Sequence, residues 1–388
     1  MKKFQGVDFL DIDPLLSEEE IMVRQTVREF VDEQVLPLMR DAWENAEFPK
    51  SLIPKVAELG LFGANIQGYG CAGMNNVAYG LAMQELERGD SGLRSFVSVQ
   101  GALVMYPILA YGNDAQKDHY LPKLASGEMI GCFGLTEPDF GSNPGGMATT
   151  AVKKGDKYVL NGTKMWITNA NLAKLAIVWA KLEGRIHGFI VERGTPGFET
   201  NDIKGKLSLR VSDTGEIHLH DCAIPVENLL PGSAGLKGAL GCLSHARYGI
   251  AWGGIGAAMG AYDEALDYAK HRVQFTKPIA GYQLVQRKLV DMITEITKMQ
   301  FLTLQLGRLK DQGKAEFQHI SMAKRNNIYH ALQTARMARD ILGANGILNE
   351  YSAMRHMCNL ETVSTYEGTH DIHTLIVGES ITGLPAYY

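Results

Sequence analysis

Three short stretches carry residue types that could do chemistry. Gly254-Ile-Gly256-Ala-Ala-Met-Gly260 has the glycine density of a phosphate-cradling loop, His370-Asp-Ile-His373 spaces two imidazoles as a metal site would, and Pro231-Gly-Ser233-Ala-Gly235 sets a serine among small residues. Each reads better as structure. A dinucleotide loop needs its third glycine one place earlier and a strand before it, so the glycine run reads as small residues that let two helices approach closely. No further ligand cluster accompanies the two histidines, and no metal site is expected. The serine is offset from a nucleophile elbow, and its segment reads as a β-to-α linker. Two isolated charges remain. Glu367, before Gly368 and Thr369, reads locally as a surface or capping carboxylate. Arg94 follows Asp90-Ser91-Gly92, an N-cap pattern. A cation there opposes the helix dipole, which suggests another use for it.

The elements that must position these residues fall into three regions. Ser17-Glu-Glu-Glu20 has capping-box spacing, and Val23, Val27, Phe30 and Val31 recur at helical intervals. Helical patterning continues over 53–59 and 77–86, with Gly60, Gly63, Gly68 and Gly70 punctuating the gap. Residues 1–128 read as an all-helical region. The period then changes: 157–160 and 163–168 read as strands flanking a tight turn at Asn161-Gly162. Further short strands fit 176–180, 188–191 and 215–220, making 129–235 a β region. Long helical periods return over 251–271, 284–306 and 317–342, within a helical region 236–388. The expected class is α+β: N-terminal all-α domain, middle β-barrel or sandwich, C-terminal four-helix bundle.

Composition narrows the function. The chain has 388 residues, 45% of them apolar, enough for a large core. Lys plus Arg is 38 against 43 for Asp plus Glu, a formal charge of −5 with no dense basic run, so nucleic-acid binding has little support. Five widely spaced cysteines without a C-x-x-C pair argue against a disulfide framework or thiolate metal cage. No apolar signal segment or membrane-length apolar run is evident, and a soluble cytoplasmic protein is expected.

Distributed motifs then become recognisable. Phe133-Gly-Leu135-Thr136-Glu-Pro-Asp-Phe-Gly141-Ser142, Trp166-Ile167-Thr168, Arg272-Val-Gln274-Phe275, Asp340-Ile-Leu-Gly343-Ala-Asn-Gly346 and Tyr366-Glu367-Gly368-Thr369 follow in the order and spacing of acyl-CoA dehydrogenases. The resemblance spans essentially the whole chain. Gly68 to Gly73, Glu85-Leu-Glu87-Arg88, Asp90 to Ser95, Leu306 to Gln312 and Tyr366 to His373 resemble the glutaryl-CoA dehydrogenase subgroup in particular.

The resemblance implies non-covalent FAD where the β domain meets the C-terminal bundle. Phe133, Leu135, Thr136, Gly141, Ser142, Trp166, Ile167 and Thr168 would line the flavin ring. Arg272, Gln274, Phe275, Gln283, Asp340 and Gly343 would serve the FAD of a neighbouring subunit, where a guanidinium can fork onto phosphate oxygens. Thr369, Asp371 and Tyr387 complete the cofactor set. Sharing of this kind implies a homo-oligomer, usually a tetramer.

By the same resemblance Glu367 is the base that takes the α-proton, its pKa raised by burial. Its backbone N–H and a flavin hydroxyl would polarise the thioester carbonyl, the β-hydride would pass to the flavin, and electrons would leave through electron-transferring flavoprotein. Gly368 would contact substrate; Ser142, Ser244 and Arg247 would face the CoA portion. Arg94 and Ser95 match the pair that binds the distal carboxylate of glutaryl-CoA, with Glu87 and Tyr366 shaping that pocket. Together they imply decarboxylation to crotonyl-CoA, a step of amino-acid degradation. Leu93, Asn143, Ser244 and Ala344 depart from residues common in the family. The rival readings are a glutaryl-CoA dehydrogenase that does not decarboxylate, a dehydrogenase or oxidase for another short or dicarboxylic acyl-CoA, and a catalytically silent flavoprotein or assembly subunit.

Overall fold

The computed structural model describes residues 3–386. Helices come first: α1 (Glu18–Phe30), α2 (Leu36–Asn45), α3 (Leu52–Glu58), α4 (Asn76–Gly89), α5 (Ser91–Ser98), α6 (Tyr106–Tyr111) and α7 (Asp114–Ala125). Strands follow: β1 (Gly131–Gly134), β2 (Thr150–Lys154), β3 (Lys157–Thr168), β4 (Leu175–Leu182), β5 (Arg185–Glu192), β6 (Phe198–Asp202) and β7 (Thr214–Pro225). The chain ends in α8 (Leu236–His271), α9 (Gln283–Asp311), α10 (Phe317–Ile341), α11 (Ser352–Thr365) and α12 (His370–Thr382), with the short pair β8 (Val273–Gln274) and β9 (Lys277–Pro278) between α8 and α9.

α1 starts on a capping box. Ser17 Oγ accepts the Glu20 N–H at 3.2 Å, and Glu20 accepts the Ser17 N–H at 2.8 Å. Asn75 and Asp90 cap α4 and α5, each accepting an N–H at 2.7 Å. From α5 the chain stays helical to Tyr111 through widened turns over Val99–Met105. Ser91–Tyr111 is long and apolar enough to cross a bilayer, a run not anticipated from the sequence, but 78% of its apolar window is buried inside the fold. Its hydropathy reflects the core that surrounds it.

Six of the seven strands form the path β1-β4-β2-β3-β7-β6, and β5 joins through β4. Because β4 pairs with β1, β2 and β5, its first six residues are buried. Both faces being covered explains its unbroken apolar run, Leu175 to Ala180.

The turn expected at Asn161-Gly162 is absent. β3 runs through both residues, and the hairpin turns instead at Gly155-Asp156, with Lys154 opposite Lys157 and Gly155 at φ +61°. Asn161 lies opposite a bulge in β7, where His220 and Asp221 together face it and Asp221 takes φ +47°. A Cβ on Gly162 would lie 2.3 Å from Thr149 Oγ1. The glycine therefore permits close approach within a strand.

The other glycine run behaves as its small residues suggest. A Cβ on Gly256 would lie 1.8 Å from the Gln84 carbonyl oxygen of α4, and one on Gly254 would lie 2.6 Å from Ile328 Cδ1 of α10. α8 is thereby gripped between α4 and α10. Ser233 is buried in the linker before α8, donating to the Leu230 carbonyl at 2.6 Å and accepting the Gly188 N–H at 2.9 Å.

Candidate functional site

α4, α5 and α8 bring charge into the protein interior. Arg94, in the first turns of α5, has no solvent exposure. Its Nε donates to Glu87 Oε2 at 2.6 Å, and its Nη2 donates to the Tyr366 hydroxyl. Glu87 lies on α4 and is equally sealed. Space for this pair comes from α8, where a Cβ on Gly253 would fall 1.8 Å from Glu87 Oε2. Burial works against the Arg94 charge, but Glu87 and Tyr366 hold the guanidinium protonated. Arg94 Nη1, Glu87 Oε1 and the buried Ser98 hydroxyl, one helical turn on, have no protein partner. Unpaired buried donors of this kind are costly unless something fills them. Ser95 is buried beside Arg94.

Glu367 sits in the chain reversal between α11 and α12 at φ +50°, a region that strains residues bearing a Cβ. Its Oε2 is buried without a partner. Burial raises its pKa, opposed by the charges of Lys324, Arg94 and Arg247. That combination describes a base that holds its proton more tightly than a solvated glutamate does. Arg247, expected to face CoA, turns its Nε inward onto the Glu367 carbonyl at 2.6 Å. Gly368 takes φ +91° and packs on His373, where a Cβ would lie 2.8 Å from Nε2. His373 is kept neutral by burial, its pKa pushed down to about 2.

The two flavin-side stretches meet. Met165, beside Trp166, donates its N–H to the Thr136 carbonyl at 2.9 Å. Phe133, Leu135 and Ile167 are buried, Thr136 and Thr168 are half-buried, and Gly141 and Ser142 are exposed. Trp166 presents a 55% exposed indole on a backbone at φ +62°. An exposed indole on the segment that also carries Thr168, hydrogen-bonded through Met165 to Thr136, fits a flat ring with an apolar face and a polar edge. Beneath the loop, the sealed Lys164 donates to Glu137 Oε1 at 2.8 Å and to the Leu135 carbonyl at 3.2 Å. Glu137 in turn accepts the N–H groups of Ala148 and Thr149.

Arg272, Gln274 and Gly343 line a separate cleft of about 230 Å³, to which neither flavin-side stretch contributes. Phe275 is 94% exposed, and Gln283 is exposed. Asp340 pairs with Lys288 and Arg339. Thr369 caps α12, accepting the Ile372 N–H at 3.1 Å, with Asp371 exposed in the same turn. Ser244 donates to the Leu240 carbonyl of its own helix at 3.1 Å. Tyr387 lies outside the described residues.

Sequence reasoning missed Lys324, His373, Ser98 and Tyr79. Tyr79, on α4, is buried near Arg94 and Glu367, with burial pushing its phenol up to about 12. Lys324, in mid-α10, is 1% exposed and donates to carbonyls of the Glu367 turn. The spacing of the histidines could have pointed to His373, since one face of α12 places it under the turn; nothing local marks Lys324.

The helical, strand and helical regions match three domain families: acyl-CoA dehydrogenase N-terminal domain over residues 17–128, middle domain over 132–222 and C-terminal domain over 233–382. The chain belongs to the acyl-CoA dehydrogenase family. This dehydrogenase is an oxidoreductase with the family's three-part architecture. It is similar to the crystal structure of glutaryl-CoA dehydrogenase from Mycobacterium smegmatis, at 51% identity and a TM-score of 0.97, covering 99% of this chain and 100% of that one. A glutaryl-CoA dehydrogenase from the same organism, in complex with FADH2, is 48% identical with a TM-score of 0.97, covering 98% and 99%. Short-chain specific acyl-CoA dehydrogenase, mitochondrial, from Homo sapiens is 36% identical over 370 residues, 93% of this chain and 90% of that protein.

Proposed function

We propose that this dehydrogenase oxidises the Cα–Cβ bond of glutaryl-CoA with FAD, releases CO₂ to leave crotonyl-CoA, and passes electrons to electron-transferring flavoprotein. The choice of a diacid rests on Arg94, sealed from solvent with Nη1 unfilled and close enough to Glu367 to act on its charge. A neutral acyl chain would bury that donor permanently, whereas a distal carboxylate would share the guanidinium with Glu87. The similarity to glutaryl-CoA dehydrogenases supports the same choice.

Glu367 takes the α-proton through a carboxylate whose burial makes it a stronger base than a solvated one. Its own backbone N–H binds the thioester oxygen, stabilising the enolate charge as it forms. Bound FAD supplies the acceptor for the β-hydride; Thr136, Trp166 and Thr168 would hold its ring, and Phe133, Leu135 and Ile167 would back them. The glutaconyl thioester then carries its distal carboxylate on the γ carbon, with the new double bond β,γ to that carboxylate, so the electrons of the broken C–CO₂ bond pass into the conjugated system and leave a dienolate. Glu367, now protonated, returns its proton to give crotonyl-CoA. Arg94, Glu87 and Tyr366 hold the carboxylate until it leaves.

Arg272, Gln274, Phe275, Gln283, Asp340 and Gly343 are read as contacts to the FAD of a second copy. Exposed Phe275, Leu284 and Phe317 support assembly into a homo-oligomer, read as a tetramer. Similarity to a short-chain specific enzyme favours one other reading, a short straight-chain substrate. Anaerobic addition of glutaryl-CoA or butyryl-CoA separates them: rapid flavin bleaching by glutaryl-CoA with crotonyl-CoA as product is expected. Bleaching by butyryl-CoA alone would overturn the diacid assignment, and accumulation of glutaconyl-CoA would overturn the decarboxylation.

A further inference from the structure

Lys324 reaches from α10 into the reversal between α11 and α12. Its ammonium donates to the carbonyl oxygens of Tyr366 and, at 2.7 Å, Gly368, with the Glu367 carbonyl at 3.4 Å. Three acceptors face the group. An ammonium has three protons and no lone pair, so this surrounding suits the charged form, working against burial, which pulls the Lys324 pKa well down. A neutral amine would turn its lone pair on a carbonyl.

Peptide planarity turns this clamp into a direction. The chain has no cis peptide among the described residues, and across a trans peptide the N–H points opposite to the preceding C=O. With the Tyr366 carbonyl drawn to Lys324, the Glu367 N–H must point the other way. With the Glu367 carbonyl held by Arg247, the Gly368 N–H is turned likewise. Neither N–H has a protein acceptor among the described residues. The strained φ of Glu367 is therefore fixed by anchors on its carbonyl side, and its donor side is left open.

We propose that Lys324 is a positioning residue of the reaction: it aims the Glu367 N–H at the thioester oxygen and places positive charge behind the carboxylate that removes the α-proton. This rests on the dehydrogenase reading above. The titratable groups around the turn are Lys324 from α10, Arg94 from α5, Arg247 from α8, Tyr79 and Glu87 from α4, Tyr366 within the turn, and His370 and His373 from α12. Lys324 is foremost among the cations that oppose the effect of burial on Glu367. Its removal should push the carboxyl pKa up further and let the N–H swing out of line.

The test uses the FAD-loaded enzyme and Lys324→Met, which keeps the stem and removes donors and charge. At saturating glutaryl-CoA, flavin reduction should slow by on the order of 10- to 100-fold, the scale of a misaimed reacting group. The acidic limb of its pH profile should move to higher pH. The infrared carbonyl stretch of bound [1-13C]crotonyl-CoA should move back toward its free value, a reading that simple loosening of the fold would leave in place. Should the methionine variant lose flavin, Lys324→Gln carries the same three measurements. A flavin-loaded variant with wild-type rate, limb and carbonyl frequency overturns the role of Lys324. A wild-type enzyme that no acyl-CoA reduces overturns the dehydrogenase reading instead.

Discussion

Arg94 Nε and Glu87 Oε2 lie 2.6 Å apart, with neither side chain exposed to solvent. Such a pair is held against a large desolvation penalty, and removing one member leaves the other as an isolated buried charge. Arg94→Met should therefore lower stability by about 3–5 kcal/mol, and Arg94→Met combined with Glu87→Met should recover most of that loss in thermal unfolding. The single variant should lose glutaryl-CoA turnover while keeping some activity on butyryl-CoA; an unchanged ratio between the substrates would remove the carboxylate anchor.

Glu367→Gln preserves shape and removes the base. The variant should bind FAD as the wild type does, yet its flavin should be reduced at least on the order of 10²-fold more slowly, the usual contribution of a general base. Rapid bleaching in stopped-flow measurements would transfer the role to another group.

The contributions of Glu367 to rate and to stability should differ in sign with pH. Burial raises the Glu367 pKa above 4.5, so flavin reduction should weaken as pH falls through that raised value. For stability, the same raised pKa gives a contribution present below 4.5 and lost as pH rises through the folded value. Glu85 and Glu137 go the other way: burial would raise them, but Arg88 and Arg28 hold Glu85 down, and Lys164 holds Glu137 down. Their stabilisation is present above 4.5 and lost as pH falls through their depressed values. Thermal unfolding followed across pH 3–7, a range of about four units around these groups, should show acid destabilisation; a melting temperature flat below pH 4.5 would contradict the paired carboxylates.

Lys164→Met tests the support under the flavin-side loop. It leaves Glu137 buried without its cation while Ala148 and Thr149 still donate to it. The melting temperature should fall, and FAD should dissociate about tenfold more readily or worse, a change of 1.4 kcal/mol or more. Unaltered FAD affinity by equilibrium titration would show that the pair holds only the sheet.

Much of this was legible from residue order. The Ser17 cap and the helical periods follow from local spacing, because each depends on neighbours a few positions apart, whereas the small residues of α8 signal close helix approach without revealing Gln84 and Ile328 as the partners. Asn161-Gly162 misled because a glycine required for close approach within a strand and one required for a turn look alike in sequence; what distinguishes them is Thr149, packed from another segment. Lys324 was invisible for a related reason. A lysine in mid-helix normally lies on a wet face, and the carbonyls it binds are 42 and 44 positions away. Arg94 could be suspected from its place against the helix dipole, but its burial depends on α4 and α8.

Gly253 lies on α8 behind Glu87, and its missing side chain is what gives that carboxylate room. One methyl group there would evict the carboxylate from its berth and strand the guanidinium it steadies. On the diacid reading proposed above, the preference for one fuel over another would be written partly on a helix behind the pocket, at a position that a comparison of pocket-lining residues alone would pass over.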